Sequence, residues 1–175
     1  MFMTGIEVKK KVHRYLENKF DNELILDGIQ EMISWLGEMG YIEGTIDIKA
    51  EPNNFYQLPE DIIKIDKVEI PEENAYYEDY LIDGMKIRFE DENNYKIFAK
   101  RLPIIENIED DLTLHRMLEN SVVKYVKGFC KMQVNDQSQD GARLQQEAKK
   151  DAVKSYRMLK KNQSPLKSFK VIREA

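Results

Sequence analysis

The positions of the prolines place the strongest constraint on how this chain can fold. Four of the five prolines lie between residues 52 and 103, at Pro52, Pro59, Pro71 and Pro103. Because proline lacks a backbone donor and clashes with the preceding helical turn, no long helix fits in this stretch. The residues on either side instead repeat apolar side chains at helical spacing. The sequence therefore predicts a β segment between two helical segments.

Each flanking segment predicts two helices. In the first segment, Asp21 or Asn22 can cap a second helix after the first one ends. In the last segment, Asp110 or Asp111 can cap a long helix that is apolar around most of its circumference. Such a helix is typical of a central position, packed on several sides. A break at Ser138–Gly141 then starts the final helix. We predict helices within residues 4–38 and 111–161.

The β segment carries one clear hairpin signal. Asp83-Gly84 separates two alternating apolar runs, which is typical of a type I′ turn in which both central residues need positive φ. Residues 95–101 then predict a third strand of an antiparallel meander. In the strand before the hairpin, around residues 62–70, the alternation changes phase, and a β-bulge near Asp66 would restore it.

These elements predict an α+β fold that is mainly α. We expect a helical bundle of about four helices, with a small antiparallel β-sheet inserted over residues 45–103 and an extended C-terminal tail. Because roughly 100–200 residues form one domain, we assign residues 1–163 to a single domain. Residues 164–175 follow as an extended arm.

The composition excludes several classes of protein. One cysteine and two histidines among 175 residues leave no disulfide framework and no zinc finger. No apolar run approaches the roughly 18 residues that a membrane helix needs, so we expect no membrane partner. The first residues lack the apolar stretch of a secretory signal, which favours a cytoplasm or a particle assembled there.

Motifs for chemistry are scarce. The sequence has no Gly-rich nucleotide loop, no nucleophile elbow and no zinc-protease motif. We therefore expect no cofactor, no metal and no catalytic residue, and the protein is predicted not to be an enzyme. A hydrolase that uses the acidic β segment stays open, because carboxylates are abundant there.

Charge is distributed unevenly along the chain. Residues 51–111 contain 17 acids and 7 bases, a balance of −10, whereas residues 143–175 contain 10 bases and 3 acids, a balance of +7. A basic end on an acidic body can bind nucleic acid or an acidic protein surface. An alternative prediction is therefore a nucleic-acid-binding module that uses the basic C-terminal helix.

Two further features predict protein contacts. Three clustered tyrosines suit a subunit interface, in which tyrosine is enriched, as well as a half-buried strand. The C-terminal arm alternates apolar and basic residues after Pro165, and such a segment can add to the edge of another sheet. The tyrosines are Tyr76, Tyr77 and Tyr80, and the arm residues are Leu166, Lys167, Ser168, Phe169, Lys170, Val171 and Ile172.

Three stretches of the sequence resemble the head-to-tail adaptor (connector, or head-completion) proteins of tailed bacteriophages. The first is Phe-Tyr-Gln-Leu-Pro-Glu-Asp at residues 55–61, which leads into an isoleucine-rich strand at 62–68. The second is the strand at 95–103 that ends in a basic residue and proline, and the third is the start of the long helix at 112–118. The order of the elements over about residues 55–160 is also similar.

The resemblance implies a structural virion protein of the phage neck. Such adaptors form a ring, usually of twelve copies, between the portal protein and a tail or stopper protein. The ring extends the channel through which the encapsidated DNA passes without sequence specificity, and C-terminal segments dock onto the portal. The arm at 166–172 then becomes the portal-docking segment. Glu90, Asp91 and Glu92 become the acids expected to face the channel, where they would repel phosphate.

Overall fold

A computed structural model of the protein describes residues 3–16, 19–112, 114–135, 138–162 and 170–171. The chain forms two compact units. The helical unit comprises Met1–Glu38 and Pro103–Ser164, and the β unit comprises Met39–Leu102 and Pro165–Ala175. That the two units act as one adaptor domain stays a prediction.

The described residues of the helical unit form four helices, which confirms the two pairs expected from the periodicity. Thr4 begins the first with a capping box, in which its hydroxyl accepts from the backbone of Glu7 and the Glu7 carboxylate accepts from the backbone of Thr4. The third helix contacts each of the other three, so the predicted central helix is confirmed. The bounds are α1 Gly5–His13, α2 Asn22–Glu38, α3 Arg116–Val134 and α4 Gln139–Asn162.

Two of the expected helix starts are confirmed and one is wrong. Asp21 accepts from the backbone of Leu24 at 2.8 Å, and Ser138 accepts from the backbone of Gly141 at 3.1 Å. The long helix, however, does not begin at Asp110 or Asp111. His115 caps it instead, because its Nδ1 accepts from the backbone of Met117 at 3.2 Å.

Helices α3 and α4 approach each other closely at two glycines. A Cβ atom added to Gly128 would lie 2.6 Å from the carbonyl oxygen of Gly141, and one added to Gly141 would lie 2.9 Å from the carbonyl oxygen of Gly128. Cys130, two residues further along α3, is fully buried, and burial raises the pKa of its thiol to about 11. The cysteine is therefore a packing residue, as its mid-helix position indicates.

The β unit contains two sheets rather than one. The larger has the strand order β1-β7-β3-β4-β8, and the smaller has the order β2-β6-β5. All pairings are antiparallel except the one between β4 and β8. The bounds are β1 Glu43–Ala50, β2 Phe55–Gln57, β3 Ile62–Ile70, β4 Ala75–Tyr76, β5 Tyr80–Asp83, β6 Lys86–Phe89, β7 Asn93–Arg101 and β8 Lys170–Val171.

The local predictions for the β unit hold with one adjustment. Strands β5 and β6 form the expected hairpin, but Asp83 pairs with Lys86, so the central turn residues are Gly84 and Met85. Only Gly84 has positive φ, at 58°, so the expected pair of positive-φ residues does not form. The register between β3 and β7 shifts between Ile65 and Lys67, which confirms the bulge at Asp66.

The predicted fold class, a helical bundle with a small inserted antiparallel sheet, is wrong. The expected meander would place the strand at 95–101 beside the hairpin, but β7 lies between β1 and β3 in the other sheet. The turn at residues 90–92 therefore links the two sheets. Over the residues that the structure describes, the chain has four helices and two sheets rather than a helical bundle with a small inserted sheet.

Candidate docking site at the β4 edge

Strand β4 is a short strand formed by a tight connection from β3. Ile70 pairs with Ala75 across a loop of residues 71–74, and Asn74 adopts a left-handed conformation with φ of 58°. Asparagine is one of the few residues with a side chain that tolerate this region. The backbone N–H of Tyr77 then donates to the carbonyl of Val68 at 3.0 Å, which fixes the exit of the strand.

The C-terminal segment occupies the free side of β4. Lys170 and Val171 form strand β8, which runs parallel to β4 with Lys170 opposite Ala75 and Val171 opposite Tyr76. Without this pairing β4 would present an unpaired row of backbone donors and acceptors at the end of the sheet. The predicted arm residues 166–169 and Ile172 lie outside the described residues.

A cavity of about 200 Å³ lies against the same strand. Three carboxylates line it, and none of its described lining residues is basic. Tyr77 donates its phenol O–H to the carboxylate of Asp91 at 3.4 Å, and the amide of Asn93 donates to Glu73 at 3.4 Å. We call this space the acidic cavity, and its lining is Ile70, Glu73, Tyr76, Tyr77, Asp79, Asp91 and Asn93.

An aromatic stack supports one wall of the acidic cavity. The rings of Phe89 and Tyr95 lie parallel with centroids 3.9 Å apart, and the ring of Tyr77 lies tilted 4.8 Å from Tyr95. Tyr95 is buried, and its hydroxyl donates to the carbonyl of Asp91 at 3.2 Å. Burial raises the pKa of both Tyr77 and Tyr95 above the usual value, so both phenols stay neutral hydrogen-bond donors.

The surroundings of the cavity are strongly acidic. Glu73, Asp79 and Asp91 are exposed at the cavity, and four further exposed carboxylates lie within two residues of them in the sequence. The nearest lysine on β3, Lys67, is engaged with the carboxylate of Glu69 and lies 5.3 Å from the ring centroid of Tyr76. The further carboxylates are Glu72, Glu78, Glu90 and Glu92.

The structure brings together residues that the sequence assigned to separate roles. Tyr76 and Tyr77 from the expected interface, Asp91 from the expected channel acids and the backbone of Lys170 and Val171 from the expected arm meet at β4. Tyr80 does not join them. It begins β5 in the smaller sheet and packs half-buried against the core. Glu90 and Glu92 are exposed beside Asp91 but do not line the cavity.

Sequence reasoning missed four of the residues that line the cavity, namely Ile70, Glu73, Asp79 and Asn93. A signal was present, because acids flank the tyrosine pair on both sides in Glu72-Glu73-Asn74-Ala75-Tyr76-Tyr77-Glu78-Asp79. Aromatic rings among carboxylates favour contact with a cationic side chain, and Lys67 already lies over the ring of Tyr76. The arrangement can therefore receive a basic extended segment through backbone pairing and charge.

Among the described residues, no group of three or more His, Cys, Asp or Glu side chains is arranged to hold a metal ion. Both histidines have structural partners: His13 accepts from the backbone of Phe20 at 3.0 Å, and His115 caps α3. In the part of the chain that the structure describes, no helix is long and apolar enough to cross a membrane.

Comparison of the chain with protein-family models and with curated proteins returned no match. The fold and the site define an α+β protein with an edge strand that carries the chain's own C-terminal segment, beside a cavity lined by acids and tyrosines.

Proposed function

We propose that the protein is a structural subunit of a tailed-phage neck, which assembles as a ring between the portal and the tail in the virion. The sequence resemblance over about residues 55–160 suggests this role. Its partners would be further copies of itself, the portal protein, a tail or stopper protein, and the DNA that passes through the channel. Assembly would take place in the host cytoplasm.

The pairing of β8 with β4 is the observation that carries the proposal. An adaptor needs a segment that leaves its own helix and adds to a sheet edge, because main-chain hydrogen bonds then give affinity without a deep pocket. Residues 170–171 form such a strand after α4 ends at Asn162. The chain therefore has both an arm that can form a strand and a short edge that accepts one.

The charge distribution agrees with a channel protein. An excess of acids over residues 51–111 would keep the β unit from binding DNA, since favourable phosphate contacts come from Lys and Arg. Exposed acids such as Glu90, Asp91 and Glu92 suit a surface past which DNA must slide. A basic arm suits an acidic partner, for which opposite charge provides steering and register.

The proposal predicts that the arm is needed for portal contact. The full chain and a version ending at Asn162 should be used to capture partners from lysate of the source cells, with identification by mass spectrometry. We expect the full chain to recover portal and tail proteins, and the shortened chain to lose at least nine-tenths of the portal. Electron microscopy of the captured material should show rings.

Charge reversal provides the matched control for this capture. Lys167→Glu with Lys170→Glu should reduce portal recovery, whereas Lys150→Glu with Lys154→Glu on α4 should leave it unchanged. If the full chain recovers no virion protein and forms no ring with or without purified portal protein, the adaptor proposal is wrong.

A second candidate function rests on a basic stripe on α4. Lys150, Lys154, Arg157 and Lys161 are exposed and follow one another at spacings of four, three and four residues. Such spacings place them on one face of the helix, over about 16 Å of its length. A row of this kind can contact several phosphates of a nucleic acid.

The salt dependence of DNA binding tests this candidate. If the stripe contacts about four phosphates, a plot of log affinity against log salt should have a slope of about −3 to −4. Lys154→Glu with Arg157→Glu should then abolish binding of a short duplex, and the version ending at Asn162 should keep it. Binding that is absent at about 50 mM salt, or equal in the reversed variant, would exclude this function.

A further inference from the structure

We infer that the β4 edge and the acidic cavity are the receptor for the C-terminal arm of a second copy of this chain, so that neighbouring copies are joined by exchange of residues 166–172. This inference deepens the ring proposal and rests on it. It makes a neighbouring copy, rather than the portal, the receptor of the arm, so a chain without the arm would lose the portal because the ring no longer forms.

Backbone geometry identifies the kind of occupant. In the single chain the occupant of the β4 edge is residues 170–171 of the same molecule, held as a parallel strand. Strand pairing is made through main-chain groups, so any copy of the same segment meets the same donors and acceptors. The backbone of the β4 edge is therefore matched to this segment, whichever copy of the chain provides it.

The charges around β4 favour a basic segment as the occupant. The cavity beside β4 is lined by Glu73, Asp79 and Asp91, and none of its described lining residues is basic. The arm, residues 164–175, contains Lys167, Lys170 and Arg173 against the single acid Glu174. Opposite charges of this kind fix the register of a docked strand and speed its encounter.

Exchange between copies requires no new contact. A segment that pairs within one chain can make the same pairing with a neighbour, and for this reason swapping is a low-cost route to oligomers. The described pairing covers only two residues on each strand, so the closed form within one chain has few backbone bonds to lose. Seven residues, 163–169, separate the end of α4 from β8, and an extended segment of this length spans at most about 25 Å.

The symmetry of such a contact suits a ring. The arm of one copy and the edge of the next are different surfaces, so the interface is heterologous. An open row of copies therefore keeps a free arm at one end and a free β4 edge at the other. Interfaces of this type close into rings when the rotation per copy permits. Arm exchange therefore provides a ring contact that uses each copy once as donor and once as receptor.

Engineered cysteines in the full chain test the exchange directly. Ala75 and Lys170 lie opposite each other on β4 and β8. Adjacent strands lie about 4.8 Å apart, which is within the range that a disulfide bridges. One chain should carry Ala75→Cys and the other, with a mass tag, Lys170→Cys. Cys130 can remain, because it is buried and its thiol pKa is raised to about 11.

We expect oxidation of the mixed chains to give a disulfide-linked dimer of unequal masses, and more of it in concentrated than in dilute samples. A mixture of Lys170→Cys with Asp83→Cys, at the exposed turn of the β5–β6 hairpin, should give at least tenfold less. A chain that carries both Ala75→Cys and Lys170→Cys should form ladders in concentrated samples and internal bonds in dilute ones.

Charge reversal gives an independent measurement in case cysteine at the buried Ala75 impairs folding. Glu73→Lys with Asp79→Lys should lower the oligomer mass measured by light scattering. Adding Lys167→Glu with Lys170→Glu to that chain should restore it. Failure of the second pair to restore the mass would count against the exchange.

The outcomes separate this inference from the ring proposal. Disulfides that form only within single chains, in samples in which microscopy shows rings, would overturn the exchange and leave the ring proposal standing. If the Lys170→Cys chain instead forms its disulfide with the portal and none with the Ala75→Cys chain, the portal is the receptor and the exchange is overturned. Mixed dimers without any ring would support the exchange and contradict the ring, and neither dimers nor rings would contradict both.

Discussion

Gly128→Ala is expected to destabilise the helical unit by about 2–3 kcal/mol, although the same change at an unobstructed helix position stabilises by about 1 kcal/mol. The added Cβ would lie 2.6 Å from the carbonyl oxygen of Gly141 and 3.0 Å from the backbone nitrogen of Gln145. Both atoms belong to the backbone of α4 and cannot turn away like the end of a side chain. Helices α3 and α4 must therefore separate, and buried Ala148 and Ala152 lose packing.

Urea unfolding followed by tryptophan fluorescence measures this effect, because Trp35 is the only tryptophan and lies on α2 in the helical unit. Asn120→Ala on the exposed face of α3 is the matched control. Because alanine has a higher helix propensity than asparagine, the free energy of unfolding of this variant should be equal to that of the parent or slightly higher. A Gly128→Ala protein as stable as the parent would show that the two helices do not require this close approach.

The helices could be predicted because their signals are local. Periodic apolar residues and the caps at Asp21 and Ser138 depend on neighbours within one or two turns, so they can be recognised without tertiary information. The one wrong start has a local cause as well. Asp110 and Asp111 are good caps, but Asp110 accepts from the backbone of Asn107 in a loop, and α3 begins after His115.

For the sheets, the local features could be predicted from the sequence, but the order of the strands could not. The hairpin at Gly84 and the bulge at Asp66 follow from turn chemistry and alternation. The position of β7 does not, because its partners β1 and β3 lie more than 20 residues away along the chain. A connection of three residues after β6 is typical of a hairpin. The packing of apolar side chains in the core, which the local sequence does not show, determines that β7 pairs in the other sheet.

The candidate site could be predicted in parts but not as a whole. Tyr76 and Tyr77, Asp91 and the C-terminal arm were each identified, with different roles. Their meeting depends on two connections, the β3–β4 loop at 71–74 and the crossing from β6 to β7 at 90–92. Neither connection has a composition that specifies which strands it brings together, so the site is a property of the fold.

Tyr95→Ala is expected to destabilise the β unit by about 3–5 kcal/mol, the usual cost of removing a large buried aromatic side chain. Tyr95 packs its ring on Phe89 in the core, and its hydroxyl holds the carbonyl of Asp91 at 3.2 Å. Loss of the ring should also release Tyr77 and Asp91, and with them one wall of the acidic cavity. Hydrogen exchange of peptides that cover β4 and β7 should rise in parallel.

Tyr95→Phe removes the hydroxyl and keeps the ring, so it measures the contribution of the hydroxyl by itself. This variant keeps the stack and should cost only about 1 kcal/mol, the net contribution of one hydrogen bond. It should also alter the response to alkali. Because burial raises the folded-state pKa of Tyr95 above its usual value near 10, the unfolded chain loses this proton first, and stability that is present below pH 10 falls as the pH rises further.

The alkaline loss should therefore be smaller in Tyr95→Phe than in the parent. Part of it should remain in the variant, since the pKa of Tyr77 is also raised by burial. Tyr15→Phe, at a phenol in the helical unit that is 71% exposed, is the control for removing a phenol outside the β unit. Equal alkaline losses in the parent and in Tyr95→Phe would show that the Tyr95 phenol ionises freely in the folded chain. The aromatic wall of the acidic cavity would then be open to water and too loose to hold Asp91 in place for an arriving arm.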